Sequence, residues 1–466
     1  MLKLYSHVRD GGPRRRCSGP ASAQSSFGRL QCSFPAHSFP GTNRPGERTC
    51  FLRKLGILLS TLSLLALQLG CGDQYRPVAN PIVGQGGQPQ FTHFAFVVNS
   101  NPIGNSSTMR IDVSGDTNLE TQAVGAGASG ESFLANTAGA LLTANSLADS
   151  VSIFNTVQIN GQVTTINVPI GSRPIKVTTA RAGVAYSLNN QPNANCPSTG
   201  SISVIDTTAL AAISTVCVGV NPVAFAQLPN GTNLYVANRD DNTVSVYDPS
   251  LGGIATTITQ GMGLGQHPVY ITPSSDSTFV FVVNAGDGNG PGTLNIITSS
   301  NNQVVASLSL GVLPSFSYLD THLNRLYVVN TGSNSVTVFD VANLNLANNP
   351  PLPTLGTSNV GSAPVGVTAL QDGTRFYVAN SESNDVSVVS ATSFLVLKTI
   401  PVGQKPVWIA ADPGSTKVYS ANHDSGTISI IQTVNDAVVN NMPAPPQNPT
   451  CSSGCALQQP SMILTF

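Results

Sequence analysis

The chain offers few residues whose type and spacing could support catalysis. The histidines after residue 90 are His93, His267, His322 and His423. No pair of them has metal-ligand or acid–base spacing on one element, and no GxSxG, HExxH, Walker A or Cys–His nucleophile pattern occurs. The sequence therefore predicts no catalytic residue, no metal site and no cofactor. A joint site of His267 and His423 is the alternative, because their loops should share one face.

A position that varies among otherwise similar segments is the candidate for ligand binding. Several strands open with proline, and the residues one and three places later are almost always apolar, whereas the residue two places later differs from copy to copy. The variable residues are Lys176, Ala224, Tyr270, Phe316, Gly366, Trp408 and Met462. Aromatic planes with a few polar groups suit small organic molecules or sugars. We expect Lys176, Tyr270, Phe316, Trp408 and Met462 to form a binding ring; the alternative is that they fill gaps between strands.

Cysteine usage fits an oxidising compartment. Cys196 precedes one predicted strand and Cys217 lies near the end of the next, so a hairpin would bring the two together. Cys451 and Cys455 could close a small loop. The alternative for both pairs is free thiols, and metal binding is disfavoured because no histidine has ligand spacing to them.

Loops that follow a recurrent asparagine are acidic. They hold Asp149, Asp240, Asp241, Asp287, Glu382, Asp385 and Asp424, with Arg239 as the opposing charge. Such a face could recruit cations or basic segments, although solvated turn carboxylates are the commoner reason for the pattern.

The elements that must position these residues come from an internal repeat. An apolar strand runs into an asparagine eight times, about 46 residues apart on average. These asparagines are Asn99, Asn145, Asn189, Asn238, Asn284, Asn330, Asn380 and Asn422. The copy that begins at Pro364 predicts strands at 365–369, 375–380, 385–389 and 396–402, each rich in Val, Ile, Tyr or Phe and bounded by turn residues. Four-stranded antiparallel units of this length predict an all-β propeller.

The two ends of the repeat region predict how the ring closes. The first copy starts at Phe94 without a proline-led strand, and the last residues, QQPSMILTF, match the proline-led strand at Pro406. We expect 461–466 to supply the innermost strand of the first blade. Eight blades follow, or seven if the copy around Asn145, where Glu131 stands in place of the proline, does not form a full blade.

The consensus hYVANxxxNxVSVhD followed by TIxVGxxP resembles the YVTN-type β-propeller repeats of bacterial envelope and surface-layer-like proteins. The resemblance covers 91–466 and is strongest at 234–248, 326–340 and 376–389. It implies a propeller that often has a binding role and transfers no catalytic residue. Within the motif, the apolar positions are expected on blade faces and the Asn and Asp positions in turns. Such repeats also resemble lactonase propellers.

The segment before the repeats reads as an export signal. Arg53 and Lys54 precede an apolar run at 55–69, followed by Gly70 and Cys71. This pattern predicts a signal peptide at 51–71 whose end is similar to a lipobox, with Cys71 lipidated. Ordinary secretion is the alternative, since Gln68 departs from the lipobox pattern. We interpret 1–50 as disordered or a mis-assigned leader, 72–90 as a linker and 91–466 as the propeller.

Charge and composition restrict the partners. From Gly72 onward the chain has eleven basic and twenty acidic side chains, a formal net charge of −9. Nucleic acid is therefore excluded as an expected partner, because phosphate binding needs a basic surface. We expect a monomeric outer-membrane lipoprotein, or a periplasmic or extracellular protein, that binds a small molecule, polysaccharide or envelope protein. A lactonase-like hydrolase and a surface-layer component are the alternatives.

The anchoring hypothesis is open to a direct test. We expect Cys71→Ser to move the protein from the membrane fraction to the soluble envelope fraction, because the acyl chains would have no attachment point. Fractionation followed by immunoblotting measures this, with Cys196→Ser as a control that should stay membrane-bound. Unchanged membrane retention of Cys71→Ser would contradict lipidation there.

Overall fold

Each repeat folds into a four-stranded antiparallel sheet, and eight such sheets form a β-propeller. The computed structural model describes residues 82–83, 89–90, 94–135, 140–156, 161–181, 183–347, 351–448 and 456–465. The innermost strand of each blade contacts the next blade around the ring, and blade 8 contacts blade 1. The apolar cores lie between neighbouring blades: Tyr235 and Val244 of blade 4, for example, share a cluster with Val280 of blade 5. No helix among the residues described here is long and apolar enough to cross a membrane.

The strands of each blade are given from the innermost outward. Blade 1 contains Gln459–Thr465, Phe94–Ser100, Asn105–Asp112 and Thr117–Ala126. Blade 2 contains Ala128–Ala135, Ala140–Asn145, Ser150–Asn155 and Val163–Asn167. Blade 3 contains Pro174–Arg181, Val184–Asn189, Ser201–Asp206 and Ala211–Cys217. Blade 4 contains Pro222–Gln227, Leu234–Asn238, Thr243–Asp248 and Gly253–Ile258.

The second half of the ring repeats this order. Blade 5 contains Pro268–Pro273, Phe279–Asn284, Pro291–Thr298 and Gln303–Val312, preceded by a 3-10 helix at Gln260–Met262. Blade 6 contains Pro314–Asp320, Arg325–Asn330, Ser335–Asp340 and Thr354–Asn359. Blade 7 contains Pro364–Ala369, Arg375–Asn380, Asp385–Ser390 and Val396–Pro401. Blade 8 contains Pro406–Ala411, Lys417–Asn422, Thr427–Gln432 and Ala437–Pro443. A two-residue pair, Ile82–Val83 with Pro89–Gln90, precedes the ring.

The predicted closure is confirmed. Gln459–Thr465 pairs antiparallel with Phe94–Ser100, placing Ile463 opposite Val97 and Leu464 opposite Phe96. The first and last segments of the repeat region thus share one sheet. The ring has eight blades, and the alternative of seven is wrong.

The recurrent asparagines are strand residues, so the expectation that they lie in turns is wrong. All eight are fully buried in the second strand, seven as its last residue and Asn99 as its last residue but one. In blade 4 the Asn238 side-chain nitrogen donates to Thr243 Oγ1 at 3.0 Å and to Ser245 Oγ at 2.9 Å, both on the third strand. Buried polar groups need such partners, and here they fix the register of two strands.

A glycine of the preceding fourth-strand region packs against each of several asparagines. A Cβ added to Gly219 would lie 2.6 Å from the Cβ of Asn238, and one added to Gly265 would lie 2.8 Å from the Cγ of Asn284. Any side chain at these positions would therefore collide with the asparagine. This contact explains the VG of the TIxVGxxP stretch.

In blade 2 the residue that takes the place of the proline differs from the one predicted from the sequence. Ala128 pairs with Asn145, the register that proline has in other blades, so Glu131 does not replace the proline as expected. A register shift between Ser129 and Phe133 adds residues to this strand. Because of these extra residues, the spacing along the sequence indicated Glu131 instead of Ala128.

The disulfide prediction is confirmed for Cys196 and Cys217. Their Cα atoms are 5.5 Å apart and the sulfurs are bonded. Cys217 is paired with Ser201 across the hairpin of the third and fourth strands, which brings the bridge to the base of the long loop before Ser201. Cys451 and Cys455 lie outside the described residues.

Removal of the closing strand tests the ring. Met462 and Ile463 are almost fully buried, and two such side chains contribute about 3–6 kcal/mol between them. We expect deletion of 460–466 to lower the free energy of unfolding by at least that amount, measured by urea denaturation. Ile463→Val, which keeps the ladder, should cost only about 1 kcal/mol. A truncated protein as stable as the full chain would contradict closure by this strand.

Candidate functional site

A β-bulge opens the innermost strand of seven blades. In blade 8, Pro406 pairs with Asn422 and Trp408 pairs with Ala421, so Val407 is the extra residue. The same shift occurs at the start of blade 1 and of blades 3 to 7. Bulges redirect the side chains that follow them. The variable residues of the predicted binding ring come immediately after this bulge.

Four of the predicted ring residues form a continuous series of contacts between innermost strands. The Lys176 Nζ atom lies 4.7 Å from the ring centre of Tyr270. The ring centres of Tyr270 and Phe316 are 4.6 Å apart, and those of Phe316 and Trp408 are 5.7 Å apart with an edge-on orientation. Lys176, Tyr270, Phe316 and Trp408, here termed the channel cluster, come from blades 3, 5, 6 and 8. Blades 3 and 5, and blades 6 and 8, are not neighbours, so the first and last of these contacts join innermost strands that are two blades apart.

The blades between these partners have small residues at the same position. Ala224 of blade 4 lies between Lys176 and Tyr270 in ring order, and Gly366 of blade 7 lies between Phe316 and Trp408. A Cβ added to Gly366 would meet Ile409 at 3.5 Å, an ordinary contact distance.

The three aromatic rings keep partial exposure although they lie at the centre of the ring. Residues of the blade faces, such as Val236 and Val328, have none. Trp408 is also anchored, because its Nε1 donates to the carbonyl of Ile463 in the closing strand at 3.0 Å.

Met462 differs from the other predicted ring residues. It is buried in a cluster with Val98, Val124 and Ala128, against which Trp408 packs. Its position is therefore between blades 1 and 2, where it supports the wall beside Trp408.

Burial dominates the electrostatics of the channel cluster. Lys176 is 8% exposed, and its burial lowers the pKa of its ammonium group to about 7 because a charge is poorly solvated there. Burial also raises the pKa of the Tyr270 hydroxyl.

A second ring of residues surrounds the end of the channel where the innermost strands begin. The residue before each strand-opening proline has positive φ, which non-glycine residues seldom adopt. These residues are Arg173, Asn221, His267, Leu313, Ala363 and Lys405. The carbonyl of each accepts a backbone N–H from the residue after the asparagine, as in Arg239 N to Asn221 O at 3.1 Å. This ring was missed in the sequence, where its signal was variation directly before the proline.

The acidic loops at the same end serve structural roles. Asp149 accepts the backbone N–H of Arg173 at 2.8 Å, and Asp241 accepts that of Val220 at 2.6 Å. Asp385 accepts the Asn380 side-chain nitrogen at 2.7 Å. No group of three or more metal-ligating side chains was found in the part of the chain that the structure describes.

The two histidines that could have shared a site bind local partners. His267 Nδ1 is 2.7 Å from the carbonyl of Gly286. His423 Nδ1 is 2.6 Å from Asp424 Oδ1, and the Lys405 Nζ is 3.6 Å from the same oxygen. Each histidine therefore has a partner within its own region of the face.

One protein family is similar to part of the chain. The family model described as lactonase, 7-bladed β-propeller, matches residues 199–392, from the third strand of blade 3 to the third strand of blade 7. Less than half of the chain is matched, and Lys176 and Trp408 lie outside the match. The present ring has one blade more than that description. No curated protein matches the sequence.

Three solved structures resemble the fold at low sequence identity. Dihydro-heme d1 dehydrogenase NirN, solved in complex with DHE, is 10% identical with a TM-score of 0.59, over 79% of this chain and 74% of that chain. Apo AztD from Citrobacter koseri is 12% identical with a TM-score of 0.53, over 80% and 98%. A candidate 6-phosphogluconolactonase from Bacteroides fragilis is 12% identical with a TM-score of 0.51, over 81% and 100%. Identities this low show similarity of fold alone.

The buried lysine predicts a pH-dependent stability. In the unfolded chain its pKa is the ordinary 10.5, against about 7 in the fold. Between these values the unfolded state binds more protons at this residue, so the cost of burial is fully present below pH 7 and disappears as the pH rises toward 10.5. We expect Lys176→Met to raise the free energy of unfolding by about 2–4 kcal/mol at pH 7, and by much less at about pH 10.

Urea denaturation at several pH values measures this difference. Lys398→Met is the matched control, because Lys398 is on the outermost strand of blade 7 and exposed. A stability difference for Lys176→Met that does not change with pH would contradict the assignment.

Proposed function

We propose that this chain is an exported binding module of the bacterial envelope whose ligand enters the central channel and contacts the channel cluster. The observation that carries the proposal is the series of contacts from Lys176 through Tyr270 and Phe316 to Trp408, with residual exposure on the aromatic rings. The same rings pack against the apolar clusters between adjacent blades, as Tyr270 does on both sides of blade 5.

The chemistry of the cluster selects the ligand class. Three aromatic faces favour a flat apolar group, which stacks in offset or edge-on geometry. The Lys176 nitrogen is the one ionisable basic group of the cluster and suits an oxygen-bearing substituent. Because Lys176 is 8% exposed, a small organic molecule fits this site better than a polysaccharide or a protein surface.

Export and anchoring are part of the same proposal. The apolar run at 55–69 and Cys71 support secretion with a lipid anchor. The Cys196–Cys217 disulfide supports an oxidising compartment. Neither feature is needed for the propeller itself.

Hydrolysis of a lactone is the second candidate function. It is favoured by the family model over residues 199–392. The end of the channel also has Arg173, His267 and Lys405 before the prolines, which are groups that an ester-cleaving site could use. Titration of the acid released from glucono-δ-lactone, above the spontaneous rate, would support this candidate over simple binding.

Calorimetric titration with naphthalene-2-carboxylate tests the binding proposal. This probe joins a flat apolar group to an anionic oxygen group, and we expect it to bind at one site per chain. Lys176→Met should weaken binding about tenfold, since a hydrogen bond to a charged group contributes about 1.5–3 kcal/mol. Phe316→Leu should also weaken it.

Lys398→Met provides the control, because it removes the same charge from the outer edge of blade 7. Binding that is absent in the wild type, or equally affected by both lysine substitutions, would contradict a channel site.

A further inference from the structure

A cleft of about 420 Å³ lies between the outer parts of blades 1 and 2. It is lined by residues 123–126 at the end of the fourth strand of blade 1, by Ala148 and Ser150, and by alternate residues of Val163–Asn167, the fourth strand of blade 2. Its volume falls within the range of roughly 300–1,000 Å³ that is usual for small-molecule sites. The channel cluster comes from innermost strands, so the cleft is a separate place on the propeller.

One position distinguishes blade 2 from four other blades. In blades 4, 6, 7 and 8 the residue three places after the recurrent asparagine has a side-chain oxygen that accepts a backbone N–H from the residue leading out of the preceding blade. These pairs are Asp241 with Val220 at 2.6 Å, Ser333 with Val312 at 2.7 Å, Ser383 with Ser362 at 3.1 Å and Ser425 with Gln404 at 3.0 Å. In blade 2 this position is Ala148, whose methyl group cannot accept a hydrogen bond.

The cleft lies where that oxygen lies in the other blades. In blade 4 the oxygen packs against the glycine that leads out of blade 3, since a Cβ added to Gly219 would lie 2.5 Å from Asp241 Oδ2. Gly125 and Ala126 are the corresponding residues that lead out of blade 1. Both line the cleft together with Ala148.

The end of blade 5 provides a direct comparison, because its third and fourth strands have the same register there. Val312 pairs with Pro291, as Ala126 pairs with Asn105 in blade 1. Ser333 Oγ of the next blade accepts the Val312 N–H. A ligand oxygen in the cleft would therefore face Ala126 as Ser333 Oγ faces Val312.

Three exposed polar side chains that line the cleft make no hydrogen bond with the rest of the described chain. They are Asn105, Thr165 and Asn167. Residues at the position of Thr165 do make such bonds in other blades: Thr357 Oγ1 is 3.3 Å from Thr337 Oγ1 in blade 6, and Asn441 accepts the Ser429 hydroxyl at 2.7 Å in blade 8. In blade 2 these polar groups are available to a ligand.

We propose that this cleft binds a neutral saccharide, with one sugar hydroxyl beside Ala148, in the place that a side-chain oxygen takes in blades 4, 6, 7 and 8. Other hydroxyls would contact Asn105, Thr165 and Asn167, because amide and hydroxyl groups both donate and accept, as sugar hydroxyls do. Among the described residues that line the cleft none is charged, so a charged ligand would lose water without gaining an opposite charge. The inference goes beyond the proposed function and does not depend on the channel cluster.

Saturation-transfer NMR titration of the intact protein with maltose, cellobiose and lactose tests the inference. We expect at least one of these disaccharides to bind. Ala148→Ser should weaken that binding at least tenfold, because its hydroxyl would occupy the place of the sugar oxygen as Ser333 Oγ does in blade 6. Asn167→Ala should weaken it about threefold to tenfold, which is the effect of losing one neutral hydrogen bond.

Ala209→Ser is the matched control, because Ala209 is an exposed alanine in the turn between the third and fourth strands of blade 3, and it should leave sugar binding unchanged. Naphthalene-2-carboxylate, the probe for the channel, should not displace the sugar. The inference is overturned if none of the three disaccharides binds, if Ala148→Ser binds as tightly as the wild type, or if naphthalene-2-carboxylate competes with the sugar. Tighter binding of N-acetyl-trialanine amide than of every disaccharide would assign the cleft to a peptide and overturn it as well. None of these outcomes changes the test of the channel site.

Discussion

The buried amide of the asparagine at or next to the end of each second strand is the interaction on which the rest of the propeller depends. Its nitrogen bonds to the third strand, as Asn422 does to Thr427 and Ser429, and in several blades its side chain also meets the glycine that leads out of the preceding blade, as in Gly219 against Asn238. A single side chain therefore sets strand register within a blade and spacing between blades. Leaving such a group without partners would cost about 1–3 kcal/mol.

The oxygen of this amide has a hydrogen-bond donor in some blades and none among the described residues in others. In blades 2, 3 and 8 a hydroxyl two residues earlier donates to the asparagine oxygen, as Ser187 does to Asn189 at 3.0 Å. In blades 4 and 7 that position is valine, and the oxygens of Asn238 and Asn380 have no partner among the described residues. The apolar residue adds packing where the hydroxyl would add a hydrogen bond. The blades therefore stabilise the region beside the asparagine either by a hydrogen bond to its oxygen or by apolar packing.

The recurrent asparagine contacts join the second and third strands of each blade, whereas the innermost strand has a position whose residue differs from blade to blade. The bulge after these prolines takes one residue out of the regular ladder, such as Val407 in blade 8, and the variable residue comes directly after it. Lys176, Tyr270, Phe316 and Trp408 occupy that position in blades 3, 5, 6 and 8 and form one series of contacts. The stability of the blades and the chemistry of the channel are consequently carried by different residues.

The sequence by itself determined the local and repeated features: eight blades, strand bounds such as Arg375–Asn380, the closing strand at the carboxyl end and the Cys196–Cys217 bridge. These follow from strand periodicity, turn residues and hairpin pairing, which act over a few residues and recur in each copy. The burial of the asparagines, the register of Ala128 and the meeting of Lys176 with Tyr270 were decided by the tertiary structure. Each depends on a neighbouring blade or on the width of the channel, and a distance across the ring has no counterpart in the spacing of residues along the chain.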